Sequence, residues 1–213
     1  VPTRRLNAER LAADLAAAPE RIPPALEALR APEAAIRYGH AKALRILASL
    51  HPQLLYPHFA DIAGLLRSEH RILHWEALRL IAEMARVDRG RRIEDLLDEY
   101  LAPIEGKVMI TAANVIRGAT LIGCAQPRLA ARIARRILAV DHSRFATAEC
   151  RRVAVGHAIA ALGELFDHLD PDTREATTDF VRRQLRSSRA STRKKAETFL
   201  DSRELPRARQ CLR

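Results

Sequence analysis

His70 and His74 stand four residues apart, the spacing at which one helix face offers two imidazoles to a single metal ion. The residue after His70 is Arg71, so the glutamate of the zinc-protease pattern H-E-x-x-H is missing. The pair therefore predicts no metal site, and His70 is expected to be solvated at a helix start. Cys124, Cys150 and Cys211 are scattered and lack C-x-x-C spacing, which predicts neither a disulfide framework nor a metal cluster. No glycine-rich phosphate loop and no nucleophile elbow occurs, and no cofactor, catalytic residue or small-molecule substrate is expected. What remains as chemistry is the guanidinium group.

Lys42, Lys107, Lys194 and Lys195 are the only lysines among 36 basic residues, so the net charge of +10 is carried by arginine. Arginine pairs with carboxylate or phosphate through a planar fork of donors. The charge is uneven. Between Gly106 and Val140 there is no acid, while Lys107, Arg117, Arg128, Arg132, Arg135 and Arg136 are basic. From Phe180 onward the acids are Glu197, Asp201 and Glu204, against a run that includes Arg182, Arg183, Arg186, Arg189, Arg193, Lys194 and Lys195. Such asymmetry suits a polyanion, though arginine also serves to solvate helices.

These side chains need elements to hold them. His40-Ala41-Lys42-Ala43-Leu44-Arg45-Ile46-Leu47 returns 34 residues later as His74-Trp75-Glu76-Ala77-Leu78-Arg79-Leu80-Ile81, the period of stacked helix pairs. Apolar residues make 48% of the chain but aromatics only 4%, and glycine is sparse at 8, which favours helix on helix over sheet. The fold class is all-α. Asn7 is the expected N-cap of a first helix ending before Pro19, and Pro23 and Pro24 suit the first turn of a short second one. Further helices are predicted over 33–50, 53–67, 70–86, 91–102, 108–122, 127–139, 149–166, 172–186 and 190–200, with a frayed tail around Pro206.

On the helix at 33–50, Ile36, Ala43, Leu44, Leu47 and Leu50 share an apolar face, and Tyr38, Lys42, Arg45 and Ser49 lie opposite. The 34-residue register puts Glu76 and Arg79 on the matching face of the next copy, with Trp75 at its edge, and a looser copy puts Asn114 and Arg117 there. His40 and His74 are equivalent, which predicts a recurring interhelical hydrogen bond. Arg45, Arg79 and Arg117 are expected to form a ladder on helices about 8–10 Å apart, open to an acidic partner unless neighbours such as Glu76 and Glu83 claim them. Arg128, Arg132, Arg135 and Arg136 cluster on one side of 127–139, with Leu129, Ile133, Ile137 and Leu138 on the other.

Ile36-Arg37-Tyr38-Gly39-His40-Ala41-Lys42-Ala43-Leu44-Arg45-Ile46-Leu47 resembles the V-R-x-x-A-A-x-A-L-G-x-L signature of HEAT repeats, and Ala161-Leu162-Gly163-Glu164-Leu165 keeps its A-L-G-E-L core. Val108-Met109-Ile110-Thr111-Ala112-Ala113-Asn114, Glu149-Cys150-Arg151 and Arg193-Lys194-Lys195-Ala196-Glu197 look like a group of prokaryotic HEAT proteins. The resemblance implies a right-handed α-solenoid with a capping helix over 1–21, four to five repeats over 22–200 and a basic tail over 201–213. It also implies that the second helix of each pair lines the concave side, and it carries no activity with it.

The expected function is a non-catalytic scaffold whose concave face, around Tyr38, Lys42, Arg45, Trp75, Arg79 and Arg117, takes a protein or peptide with acidic groups. The alternative is sequence-independent nucleic-acid binding through Arg128, Arg132, Arg135, Arg136, Arg182, Arg183, Arg186, Arg193, Lys194 and Lys195, with contacts to the phosphate backbone. A third reading, a HEAT-like DNA glycosylase, rests on Trp75-Glu76 alone. No apolar run reaches the roughly 20 residues of a bilayer span, and a cytoplasmic setting is expected. A start at Val1 and not at Met suggests trimming or a cut from something longer.

Overall fold

The computed structural model describes residues 7–210, with side chains to 203; of the expected tail over 201–213, residues 201–210 continue a helix and 211–213 lie outside the described residues. Every regular element among the described residues is helical. The chain divides into two units, Val1–Leu96 and Leu97–Arg213.

The first unit holds α1 (Ala8–Ala17), α2 (Ile22–Glu27), α3 (Ala34–Leu50), α4 (Pro52–Leu55), α5 (Phe59–Gly64) and α6 (Arg71–Met84). The Asn7 side chain accepts from the Arg10 amide at 3.0 Å and so caps α1. Pro23 and Pro24 sit in the first turn of α2. The single helix expected over 53–67 is instead α4 and α5, each followed by a 3-10 turn. Pro57 explains the break, since it lacks the N–H that would reach back one turn. Helix α3 packs between α1 and α6, burying Leu44, Leu47, Leu78 and Ile81 completely or nearly so. Each such side chain contributes about 1.5–3 kcal/mol of apolar burial. Ile36 and Leu50, assigned to that apolar face, are 37% and 67% exposed because they lie at the helix ends, beyond the packed length.

Helix α7 (Arg92–Leu101) carries the boundary between units. Its start is set by Asp88, whose carboxylate accepts from the Arg92 and Ile93 amides and from the Tyr56 hydroxyl at 2.7 Å. Arg91, in the turn between, has φ of 56°, a left-handed conformation that favours glycine.

The second unit continues with α8 (Met109–Ala125), α9 (Ala130–Leu138), α10 (Ala148–Leu165), α11 (Pro171–Gln184) and α12 (Ala190–Gln210). Here the helices form two layers. Helix α10 lies between α8 and α12, while α9 packs on α8, α10 and α11. Gly123 lets α8 and α10 close at their C-terminal ends, since a Cβ there would stand 2.5 Å from Leu165 Cδ2. Helix α12 runs to Gln210, through Pro206, well past the predicted end at 200. The carbonyl that loses its partner to Pro206 is that of Ser202, an exposed residue open to water.

The turns before these helices share a fastening. The fourth residue of α3, α10, α11 and α12 is an arginine that donates backward to a backbone carbonyl. Arg37 reaches Ala31 at 2.7 Å, Arg151 reaches Ser143 at 3.3 Å, Arg174 reaches Asp167 at 2.9 Å and Arg193 reaches Ser187 at 2.7 Å. In α6 the fourth residue is His74, whose Nδ1 lies 2.6 Å from the Leu66 oxygen. His40 bonds instead within its own helix, to Ile36 at 2.9 Å, so the expected recurring interhelical bond is made by His74 and not by His40.

Candidate functional site

Four helices carry residues on one face at one spacing, i, i+4, i+7 and i+11, and a fifth fits the same register. On α3 these are Tyr38, Lys42, Arg45 and Ser49; on α6 they are Ile72, Glu76, Arg79 and Glu83. On α8 the stripe is Ile110, Asn114, Arg117 and Leu121, on α10 Val153, His157, Ala160 and Glu164, and on α12 Ser191, Lys195, Thr198 and Ser202. That spacing keeps side chains on one face of a helix over three turns.

In the first unit the stripe is closed on itself. Lys42 donates to Glu9 at 2.7 Å, and Arg45 donates to Glu76 at 2.7 Å. Arg79 approaches the same carboxylate at 3.5 Å. Glu76 was expected beside Arg79 on an open face; it is instead 4% exposed, because α3 and α6 pack closely enough to cover that position. Its pKa lies above the usual carboxylate range, as burial outweighs the pull of Arg45 and Arg79. Glu83 holds Arg86 at 3.0 Å. Tyr38 is exposed, with the Arg37 guanidinium over its ring, and Trp75 is half-buried. The expected partner surface thus loses two of its guanidiniums to an internal carboxylate.

Arg117 is different. It is exposed on α8, and no acid or acceptor is bonded to it among the described residues. It faces a groove of about 600 Å³ between α8 and α10, whose walls include Ile110, Asn114 and Leu121 on one side and Val153, His157 and Glu164 on the other. Ile110 is 52% exposed and Leu121 42%, so the free cation stands between two uncovered apolar side chains. The pKa of His157 is lowered by burial first and by the nearby Lys195 charge second. Beyond Leu121, the exposed Cys124 has its thiol pushed up by burial and by the Glu164 charge. Sequence reading named Arg117 and Asn114 but missed the facing wall. The signal was present as the identical spacing of Val153, His157, Ala160 and Glu164, displaced from the 34-residue period by the longer turn after α9.

The basic residues expected to hold a polyanion are spread over several partners. On α9, Arg132 pairs with Asp98, Arg135 with Asp170 and Arg136 with Glu105, each at 2.7 Å, and in the 3-10 turn before it Arg128 donates to Gln126. Arg182 pairs with Asp179, Arg183 lies over the Phe180 ring, and Arg193 fastens its own turn. Lys195 donates to the Gly156 carbonyl at 2.9 Å. Arg186 and Lys194 are exposed. Among the described residues no three of His, Cys, Asp and Glu come together as a metal-holding group, and no helix is long and apolar enough to cross a membrane.

An all-helical protein with an open interhelical groove is what these features define. The crystal structure of an engineered protein, a Northeast Structural Genomics Consortium target, is similar to it, with a TM-score of 0.51 and 14% sequence identity over 92% of this chain and 87% of that one. At that identity the likeness concerns the fold alone. No family model and no curated protein matches the chain.

Proposed function

We propose that the chain is a non-catalytic scaffold of HEAT-like repeats, of the right-handed α-solenoid class, that holds a protein or peptide partner through the groove between α8 and α10. The observation that carries this is Arg117, without an ion-pair partner among the described residues and flanked by the exposed Ile110 and Leu121. A charged group left open beside apolar surface is the composition of a recognition groove. Lys42 and Arg45 then serve chiefly to join helices, through Glu9 and Glu76, and Arg79 shares the Glu76 carboxylate within its own helix, so the cations expected beside Tyr38 and Trp75 are already engaged. Glu76, held by two guanidiniums, is poorly disposed to act as the base of a glycosylase. The free thiols Cys124 and Cys150 suit a cytoplasmic protein.

Affinity capture with nuclease treatment tests the proposal, comparing the native chain with a double variant, Arg117→Glu with Leu121→Ser. Proteins retained after nuclease and lost with the double variant are the expected result. Retention of nucleic acid alone, unaffected by the double variant, would shift the function to the arginine-rich helices.

A further inference from the structure

We infer that the occupant of the α8/α10 groove is an amphipathic α-helix of the partner, lying antiparallel to both helices and placing a carboxylate on Arg117. This deepens the reading of the groove given above and rests on it. Three observations lead there.

The first is the absence of backbone partners. Both walls are helices, whose own N–H and C=O groups are engaged internally, and the Asn114 amide already donates to the Ile110 carbonyl at 2.9 Å. An extended peptide would leave its backbone groups to water, whereas a helix brings its own hydrogen bonds and offers only side chains. The second is length. Ile110 and Leu121 are eleven residues apart on α8, about 16 Å along the axis at 1.5 Å per residue. A ligand helix of similar length meets both with apolar residues at i and i+11.

The third is charge, and it sets direction. Arg117 is four residues from Leu121 and seven from Ile110, so a carboxylate meets it at i+4 of a ligand whose position i sits on Leu121, or at i+7 of one running the other way. The acid of the groove favours the first, a ligand that runs opposite to α8. Glu164, the acid of the groove walls, lies at the same end as Leu121 and faces the positive N-terminus of such a helix. Helices α8 and α10 point the same way, as their C-terminal ends meet at Gly123 and Leu165. An antiparallel ligand therefore sets its dipole against both. The expected pattern is apolar, then acidic at i+4, then apolar at i+11.

Phage display of helix-forming 16-residue peptides, with leucine fixed at i and i+11 and the remaining positions random, tests this on the full chain. Selected peptides are expected to carry Asp or Glu at i+4, to bind Arg117→Glu at least tenfold more weakly, and to regain binding to that variant when the acid is changed to Lys. Cys124, one turn beyond Leu121, reads direction. In a Cys150→Ser, Cys211→Ser background, a selected peptide bearing an activated disulfide at its N-terminus should couple to Cys124, and the same peptide activated at its C-terminus should not. Enriched peptides without an acid preference, or equal coupling from both ends, would overturn the antiparallel helix while leaving the groove as a peptide site. Failure to enrich any peptide over the Leu121→Ser variant would remove both. Retention of random DNA that Arg117→Glu abolishes would give the groove to phosphate and sink the inference alone.

Discussion

Arg45 Nη1 stands 2.7 Å from Glu76 Oε1, tying α3 to α6 across 31 residues of sequence. The carboxylate is buried, its Oε2 has no hydrogen-bond partner, and burial raises its pKa although two guanidiniums oppose the shift.

Where an acid's folded pKa exceeds its unfolded value, the folded state keeps a proton that the unfolded state releases, and stability falls as pH rises through that window. Glu76 should therefore favour the fold most below about pH 4.5 and lose that contribution as pH climbs through its raised pKa. Glu76→Gln should match or exceed the parent in stability at neutral pH and flatten this dependence. Urea denaturation at pH 5 and pH 8 measures it. A loss above about 1 kcal/mol for Glu76→Gln at pH 8 would show that the ion pairs outweigh burial.

Two glycines predict opposite outcomes. Gly123→Ala puts a methyl 2.5 Å from the fully buried Leu165 tip and should destabilise by about 1–3 kcal/mol, despite the better helix propensity of alanine. At Gly163 the nearest atom, Phe199 Cδ2, is 3.5 Å away, an ordinary contact. Gly163→Ala should therefore stabilise by about 0.5–1 kcal/mol. Thermal melts of the two variants side by side decide the matter.

His157 should titrate below a free histidine, and Lys195→Met should bring its pKa part of the way back. The return is incomplete because burial is the larger cause. Histidine ring resonances followed by NMR from pH 5 to 8 report both. A carboxylate bound on Arg117 should raise the same pKa. An unmoved His157 in Lys195→Met would mean that the lysine charge is screened.

Asp88→Ala removes the cap of α7 and the acceptor of the Tyr56 hydroxyl, and should cost about 1–2 kcal/mol. Arg91→Gly should gain about 1 kcal/mol by relieving the left-handed backbone, less a few tenths for its exposed pair with Glu94. Chemical denaturation of each single variant provides the check, and a destabilised Arg91→Gly would place the value of that residue in the ion pair.

Helix positions were readable because proline and capping residues mark them locally: Asn7 does cap, and Pro23 and Pro24 do lie in the first turn of the second helix. The break at Pro57 is also written locally, in the N–H that this proline lacks. Glu76 is a different case. Its place in the 34-residue register gave the correct face of α6, yet register says nothing of how closely the next helix approaches. The α8/α10 groove was half legible, since Arg117 came from the repeat while its facing wall follows a different interval. Fastening arginines such as Arg37 and Arg174 were invisible, because a guanidinium aimed at a backbone carbonyl has no sequence mark to distinguish it from one aimed at water.

The three arginines of α9 that hold Asp98, Glu105 and Asp170 have a bearing on counterions. A phosphate chain docking there must first evict carboxylates already in place, so fewer cations are released from it per contact. Toward nucleic acid this helix should show a log–log salt slope well short of the roughly 0.9 per neutralised phosphate that a bare guanidinium gives. Local pairing thus makes an arginine-dense surface behave as a weakly charged one.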